Sequence, residues 1–172
     1  MVKVMLSILL FLVGCSPSKF SIIKQPNLSN KLKLNGCYYN YSFNGNQRYV
    51  HIDFFYTNGV IFSQGLVFEN LVKGLDYYRN LNNNTRYKNS IARDRTSWGL
   101  YKIINDQIII EEPEPKQGGP MHKLNGRIIN DTTFIIETFQ ERGIVSKAGS
   151  LDYFYFKQFE MKPDSSIQSV IK

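Results

Sequence analysis

Tyr49-Val50-His51-Ile52-Asp53-Phe54-Phe55-Tyr56 runs directly into Thr57-Asn58-Gly59. In the first stretch, Val50, Ile52, Phe54 and Tyr56 alternate with Tyr49, His51, Asp53 and Phe55. That two-residue period belongs to a half-buried strand, with one face on a core and the other toward water. The second stretch is tight-turn chemistry, because Asn and Gly supply the backbone angles a hairpin needs. From Val60 a β-branched and aromatic run resumes. The whole reads as an antiparallel hairpin.

The same grammar extends outward. Short apolar runs split by Asn, Asp and Gly predict eight strands, at about 36–43, 47–56, 60–68, 97–104, 107–112, 122–129, 133–139 and 151–159. Asn105-Asp106 and Asn130-Asp131-Thr132 repeat the tight-turn signal. The connections between these turns are mostly long (69–96, 113–121 and 140–150), with Asn44-Gly45-Asn46 the exception. Alternate connections of an antiparallel meander lie at opposite ends. One end is therefore expected to be closed by tight turns and the other framed by loops. Eight strands suffice to close a barrel without exposed edges. Within 69–96, Leu71, Val72, Leu75 and Tyr78 have helical spacing. They predict one short helix, weakened by Gly74 and ended by Asn82-Asn83-Asn84.

On strand count and loop asymmetry, Leu34 to Glu160 resembles the lipocalin-like family of up-and-down barrels. The expected fold is all-β: an eight-stranded antiparallel up-and-down meander closed as a lipocalin-like barrel, with one short helix in the strand 3–4 loop. In that family the first strand carries Gly-x-Trp. The matching place here is Gly36-Cys37-Tyr38, with Tyr38 for the tryptophan, and the single tryptophan, Trp98, opens the fourth strand instead.

The chain begins with one cation, Lys3, and an apolar run from Val4 to Val13 that closes on Leu12-Val13-Gly14-Cys15. About ten apolar residues are too few to cross a bilayer core that needs about twenty, so the layout is that of an export signal. The last four residues resemble the lipobox of bacterial lipoproteins. The resemblance implies lipid on Cys15, cleavage between Gly14 and Cys15, and acylation of the new amino terminus. Residues 1–14 are then a signal peptide, 15–33 a lipidated tether, 34–160 the barrel and 161–172 a flexible tail. The expected location is the bacterial cell envelope. Ser16, a non-acidic residue after the cysteine, is similar to the pattern that permits transfer to the outer membrane.

The net charge is +7, but the basic residues are scattered. This suits mild attraction to anionic lipid headgroups and not a nucleic-acid groove. With Cys15 lipidated, Cys37 has no partner for a disulfide and is expected to be buried and inert. Two histidines and one free cysteine match no zinc pattern. Glu111, Glu112 and Glu114 could approach Ca²⁺ but read as a solvated acidic loop. His51 and Asp53 share a strand face and with a third group could do acid–base work. On the polar side of a half-buried strand, however, they are expected to be solvent-facing. No phosphate-cradling Gly loop and no Gly-x-Ser-x-Gly elbow is present. The expectation is a non-enzymatic protein with no cofactor and no metal.

Phe, Tyr and Trp make up 14% of the chain. Many of them must fill the barrel. The remainder suggest a lined mouth at the loop end, made by Tyr77, Tyr78, Arg79, Tyr87, Arg93, Arg95 and Trp98. Such a set suits a small apolar or amphiphilic ligand, with an anionic head or a glycan as candidates. It also suits an envelope protein docking through the long loops over a filled barrel. Because the tether enters the first strand at the tight-turn end, that end is expected to face the membrane and the mouth to face the aqueous compartment.

Overall fold

The computed structural model describes residues 20–94, 96–113 and 121–165. Eight antiparallel strands follow one another round a closed barrel. They are β1 (Gly36–Asn44), β2 (Gln47–Phe55), β3 (Val60–Phe68), β4 (Trp98–Ile104), β5 (Gln107–Pro113), β6 (Met121–Asn130), β7 (Thr133–Glu141) and β8 (Ile144–Gln158). Between β3 and β4, where one short helix was expected, come two, α1 (Leu71–Asn82) and α2 (Thr85–Arg93). The ring closes where Gly36–Tyr39 of β1 pairs with Tyr155–Gln158 of β8. The expected up-and-down barrel is thus the observed one.

The turns follow the predicted chemistry at the tight-turn end. Gly59 (φ 79°) and Asn105 (φ 55°) take left-handed backbone angles that disfavour most side chains. One connection departs from expectation. Residues 140–150 are no long loop; β7 and β8 run on to meet at Arg142-Gly143, a tight turn with φ 52° and 82°. Arg142 hides this turn, since arginine is no usual marker of a left-handed residue. Ile144 and Val145 beside it are exposed, so no burial pattern announces the start of β8.

Two apolar clusters share the wall. Tyr38, Phe55, Ile61, Tyr101, Ile108, Ile110, Ile128, Phe134, Ile136 and Phe154, with Leu124 and Phe156 against them, form one. All eight strands contribute, so it occupies the barrel interior. The Phe55 and Phe134 rings meet at 5.7 Å although β2 and β7 are not neighbours. Tyr38 lies 5.2–5.5 Å from Phe55, Phe134 and Phe156. Toward the tight-turn end the barrel is therefore filled with rings, and Leu32 plugs it from the N-terminal side.

The second cluster lies outside. Val50, Ile52 and Phe54 of β2, with Val60 and Phe62 of β3 and Trp98 and Leu100 of β4, point outward under the helices. Tyr78 of α1 is fully buried, 4.9 Å from Phe54 and 6.1 Å from Phe62. A Cβ on Gly74 would stand 2.4 Å from Ile52 Cδ1 and 2.9 Å from the Phe68 ring. The glycine expected to weaken the helix instead lets it lie flat on the wall. The asparagine run ends α1 as expected and also starts α2, because the Asn84 side chain accepts from Arg86 N.

The segment expected as a tether is bound to the barrel from Phe20 onward. Glu111 accepts hydrogen bonds from Ser21 N (2.6 Å), the Ser21 hydroxyl and Ile22 N (2.9 Å). Asn27 N donates to Thr57 O, and Lys33 N to Asp131 O. Glu111 sits partway up β5, opposite Leu100. Followed back to Phe20, the chain therefore passes beneath the tight turns and climbs the outer wall. The segment expected as a tail is also docked at first. Lys162 Nζ donates to Leu34 O and Phe55 O and lies 4.3 Å over the Tyr56 ring. Burial lowers its pKa to about 8. The Tyr56 hydroxyl donates to Pro163 O.

Candidate functional site

The site grows from β2. Its two faces are both covered, one by helices and one by the barrel itself. His51 and Asp53, expected in water, therefore point inward, and Asp53 is only 4% exposed. The apolar row that reads from sequence as the inner face is the outer one. Across the strands, Asn40 of β1 faces His51, and Ser63 of β3 faces Asp53. The β2–β3 register shifts between His51 and Asp53. Val67 opposes His51 while Ser63 opposes Asp53, so residues 64–66 bulge out of the ladder. The bulge brings the Leu66 carbonyl to 3.2 Å from His51 Nδ1. From the other side of the barrel, Glu112 of β5 and His122 of β6 face each other and point inward, while Asp152 of β8, opposite Ile136, is exposed. Gly99 leaves bare backbone beneath Glu112; a Cβ there would stand 3.2 Å from Glu112 Cγ.

His51 organises the cluster. Its Nδ1 hydrogen bonds to the Leu66 carbonyl, and its Nε2 lies 2.8 Å from Asp53 Oδ1 and 3.0 Å from Ser63 Oγ. Burial pulls the imidazole pKa down. The Asp53 charge and contact, the Glu112 charge and the Leu66 carbonyl outweigh it and raise the pKa to about 9. His51 is therefore an imidazolium at neutral pH, paired with Asp53. Burial first, then the Asp53 charge, push Glu112 well above the usual carboxylate range, with His51 partly offsetting them. Asp152 is raised by burial.

This is not the arrangement of a nucleophilic triad. There the carboxylate orients one imidazole nitrogen and the hydroxyl meets the other. Here Asp53 and Ser63 share Nε2, and Nδ1 is held by backbone.

Several buried atoms in and beside this cluster lack hydrogen-bond partners. Asn40 Oδ1 and His122 Nε2 belong to the inner wall, and Gln64 Oε1 to the adjoining bulge. Asp53 Oδ1 touches His51 Nε2 outside hydrogen-bond alignment. Buried polar atoms are nearly always satisfied in folded proteins, by protein, water or ligand. Toward the loop end the lining opens. The His51 side chain is 22% exposed, and Leu124, His122 and Phe139 are half-buried, with the last two rings 5.0 Å apart. The result is a polar stretch of inner wall above a floor of packed rings.

The residues expected at the mouth do not converge on it. Tyr78 and Trp98 are core residues between helices and wall; Trp98 Nε1 donates to Ile91 O. Tyr77 is half-buried against Phe68, Arg79 is exposed and paired with Asp76, and Tyr87 is exposed on α2. Arg93 ends α2, while its side chain, like all of Arg95, lies outside the described residues. Cys15 lies outside them too. Glu111 and Glu112 point to opposite sides of the wall, and Glu114 is not among the described residues. Among the described residues no three His, Cys, Asp or Glu side chains are grouped to hold a metal. Cys37 is buried as expected, and burial, with Asp53 adding, pushes its thiol up to about 12.

Sequence reasoning reached His51 and Asp53 but missed Asn40, Ser63, Glu112 and His122 as their companions. The available signal was strand parity: each falls on the face of its strand that the register turns inward.

Compared with known proteins, the chain matches no family model, no curated protein and no solved structure.

Proposed function

We propose that this chain is a lipid-anchored envelope protein that holds a small amphiphilic ligand in the open half of its barrel, without chemistry on it. The observation that carries the ligand reading is the inner wall, where Asn40 Oδ1 and His122 Nε2, inward and without partners, stand above a filled aromatic floor. A filled floor leaves the loop half as the place for a small molecule. The lipobox-like Leu12-Val13-Gly14-Cys15 supports the anchor, and Ser16 supports the outer membrane.

A second reading is an interaction or assembly factor. It is favoured by an aromatic stripe on the outer wall. Tyr39 lies 5.4 Å from Tyr41 and 6.0 Å from Tyr155, Tyr153 and Tyr155 stack at 6.3 Å, and Arg48 lies over Tyr41 at 3.3 Å. Tyr and Arg supply many interface hot spots.

Native mass spectrometry of the protein purified from its own envelope separates the two. A co-purifying small molecule is the expected result, and a co-purifying protein without one supports the second reading.

A further inference from the structure

We propose that the barrel lies on its side against an anionic membrane surface, with α2 on the lipid headgroups. This rests on the lipid-anchor reading above and adds which face of the protein meets the membrane.

The first argument is reach. Five residues separate Cys15 from Phe20, at most about 18 Å of extended chain. Ser21 and Ile22 are bonded to Glu111, five residues along β5 from the turn at Asp106, or about 16 Å. A chain running straight back from Phe20 would do no more than draw level with the closed end. The way to α2 is shorter. Leu100 lies opposite Glu111, and Trp98 is two residues on along the same outer face of β4, about 7 Å away. The Trp98 indole donates to Ile91 O of α2. Phe20, Ile22 and Ile91 all belong to the outer apolar cluster.

The second argument is charge. α2 reads Thr-Arg-Tyr-Lys-Asn-Ser-Ile-Ala-Arg, three cations and no acid. Elsewhere cations are matched. On α1, Lys73 pairs with Glu69 and Arg79 with Asp76; at the closed end, Lys31 pairs with Asp106 and Lys33 with Asp131. Arg86 and Tyr87 are exposed on α2, while Ile91 is buried against the wall. Unmatched cations attract an anionic leaflet, and a tyrosine settles at the level of its headgroups. With its one large aliphatic residue turned to the wall, α2 rests on the surface and does not insert.

The exposed Phe43, Ile144 and Val145 stand on β1 and β8, across the ring from β4 and β5, and so face away from the membrane. The barrel axis runs along the surface. Neither the closed end, expected there from sequence, nor the mouth points at the lipid.

The test is energy transfer from a fluorophore on the full chain to a headgroup-labelled lipid. The protein is purified from its own envelope and reconstituted in phosphatidylcholine vesicles with or without phosphatidylglycerol. Tyr87→Cys, Thr57→Cys and Phe43→Cys put the label on α2, on the closed end and on a mouth hairpin, and the buried Cys37 does not compete. Transfer is expected to be strongest from α2 and to rise there when phosphatidylglycerol is present. Arg86→Glu combined with Lys88→Glu is expected to abolish that rise. Acids near the start of α2 favour the helix, so this loss is not a loss of fold. Strongest transfer from the closed end or the mouth, or equal transfer from all three, overturns the orientation and leaves the anchor standing. A rise that survives the charge reversal overturns the contact through α2. A chain that does not float with vesicles, or whose mass shows no lipid on Cys15, overturns the anchor reading, and the orientation falls with it.

Discussion

At the residue scale, the inner wall makes stability depend on pH. His51 is raised from its ordinary 6.5 to about 9. Its contribution is fully present below 6.5 and is lost as pH rises through about 9. Glu112 is raised from its ordinary 4.5, so folding favours its protonated form, and that contribution too fades as pH rises from 4.5 through its folded value. Both act in one direction. Thermal melts between about pH 5 and pH 9 should show Glu112→Gln losing less stability on the way up than the parent protein. An equal loss in both would mean that Glu112 does not sit in the environment described. Cys37 offers a second check. With its thiol pushed up to about 12 and fully buried, it should react slowly with an alkylating reagent in the native protein and rapidly in denaturant.

At the scale of elements, the helices against the wall explain why some expected site residues are structural. Tyr78→Ala removes a fully buried ring and should cost about 3–5 kcal/mol, whereas Tyr87→Ala, at an exposed position, should stay within about 0.5 kcal/mol. Denaturant melts of the two variants measure this. Gly74→Leu should also destabilise, by about 1–3 kcal/mol, despite leucine's better helix propensity, because its side chain would meet Ile52 and Phe68. The strands themselves were legible because short apolar runs and Asn or Gly turns are local signals. What was not legible was which side of β2 faces in. Alternation shows that Val50, Ile52 and Phe54 share a face, but not that α1 will cover it. Once that layer is placed, His51 and Asp53 must turn into the barrel. The β7–β8 turn escaped notice for another reason: Arg142 takes a backbone angle that its side chain does not advertise.

At the scale of the molecule, the N-terminal segment and the barrel behave as one body from Phe20 onward. Glu111→Ala removes the acceptor for Ser21 and Ile22 and leaves the strand pairings of β5 intact. Trypsin should then cut after Lys24 faster than in the parent protein, with the barrel core surviving; unchanged cleavage would show that Glu111 does not hold the segment. The same strap has a mechanical meaning. Tension on the chain's N-terminal end reaches the contacts at Ser21 and Ile22 first, then Asn27, and then Lys33. These contacts break in sequence, while β1, bonded along both edges, is loaded last. The run from 20 to 33 extends to roughly 45 Å at about 3.4 Å per residue. A sudden pull would unpeel the strap before it could pry open the barrel's closing seam.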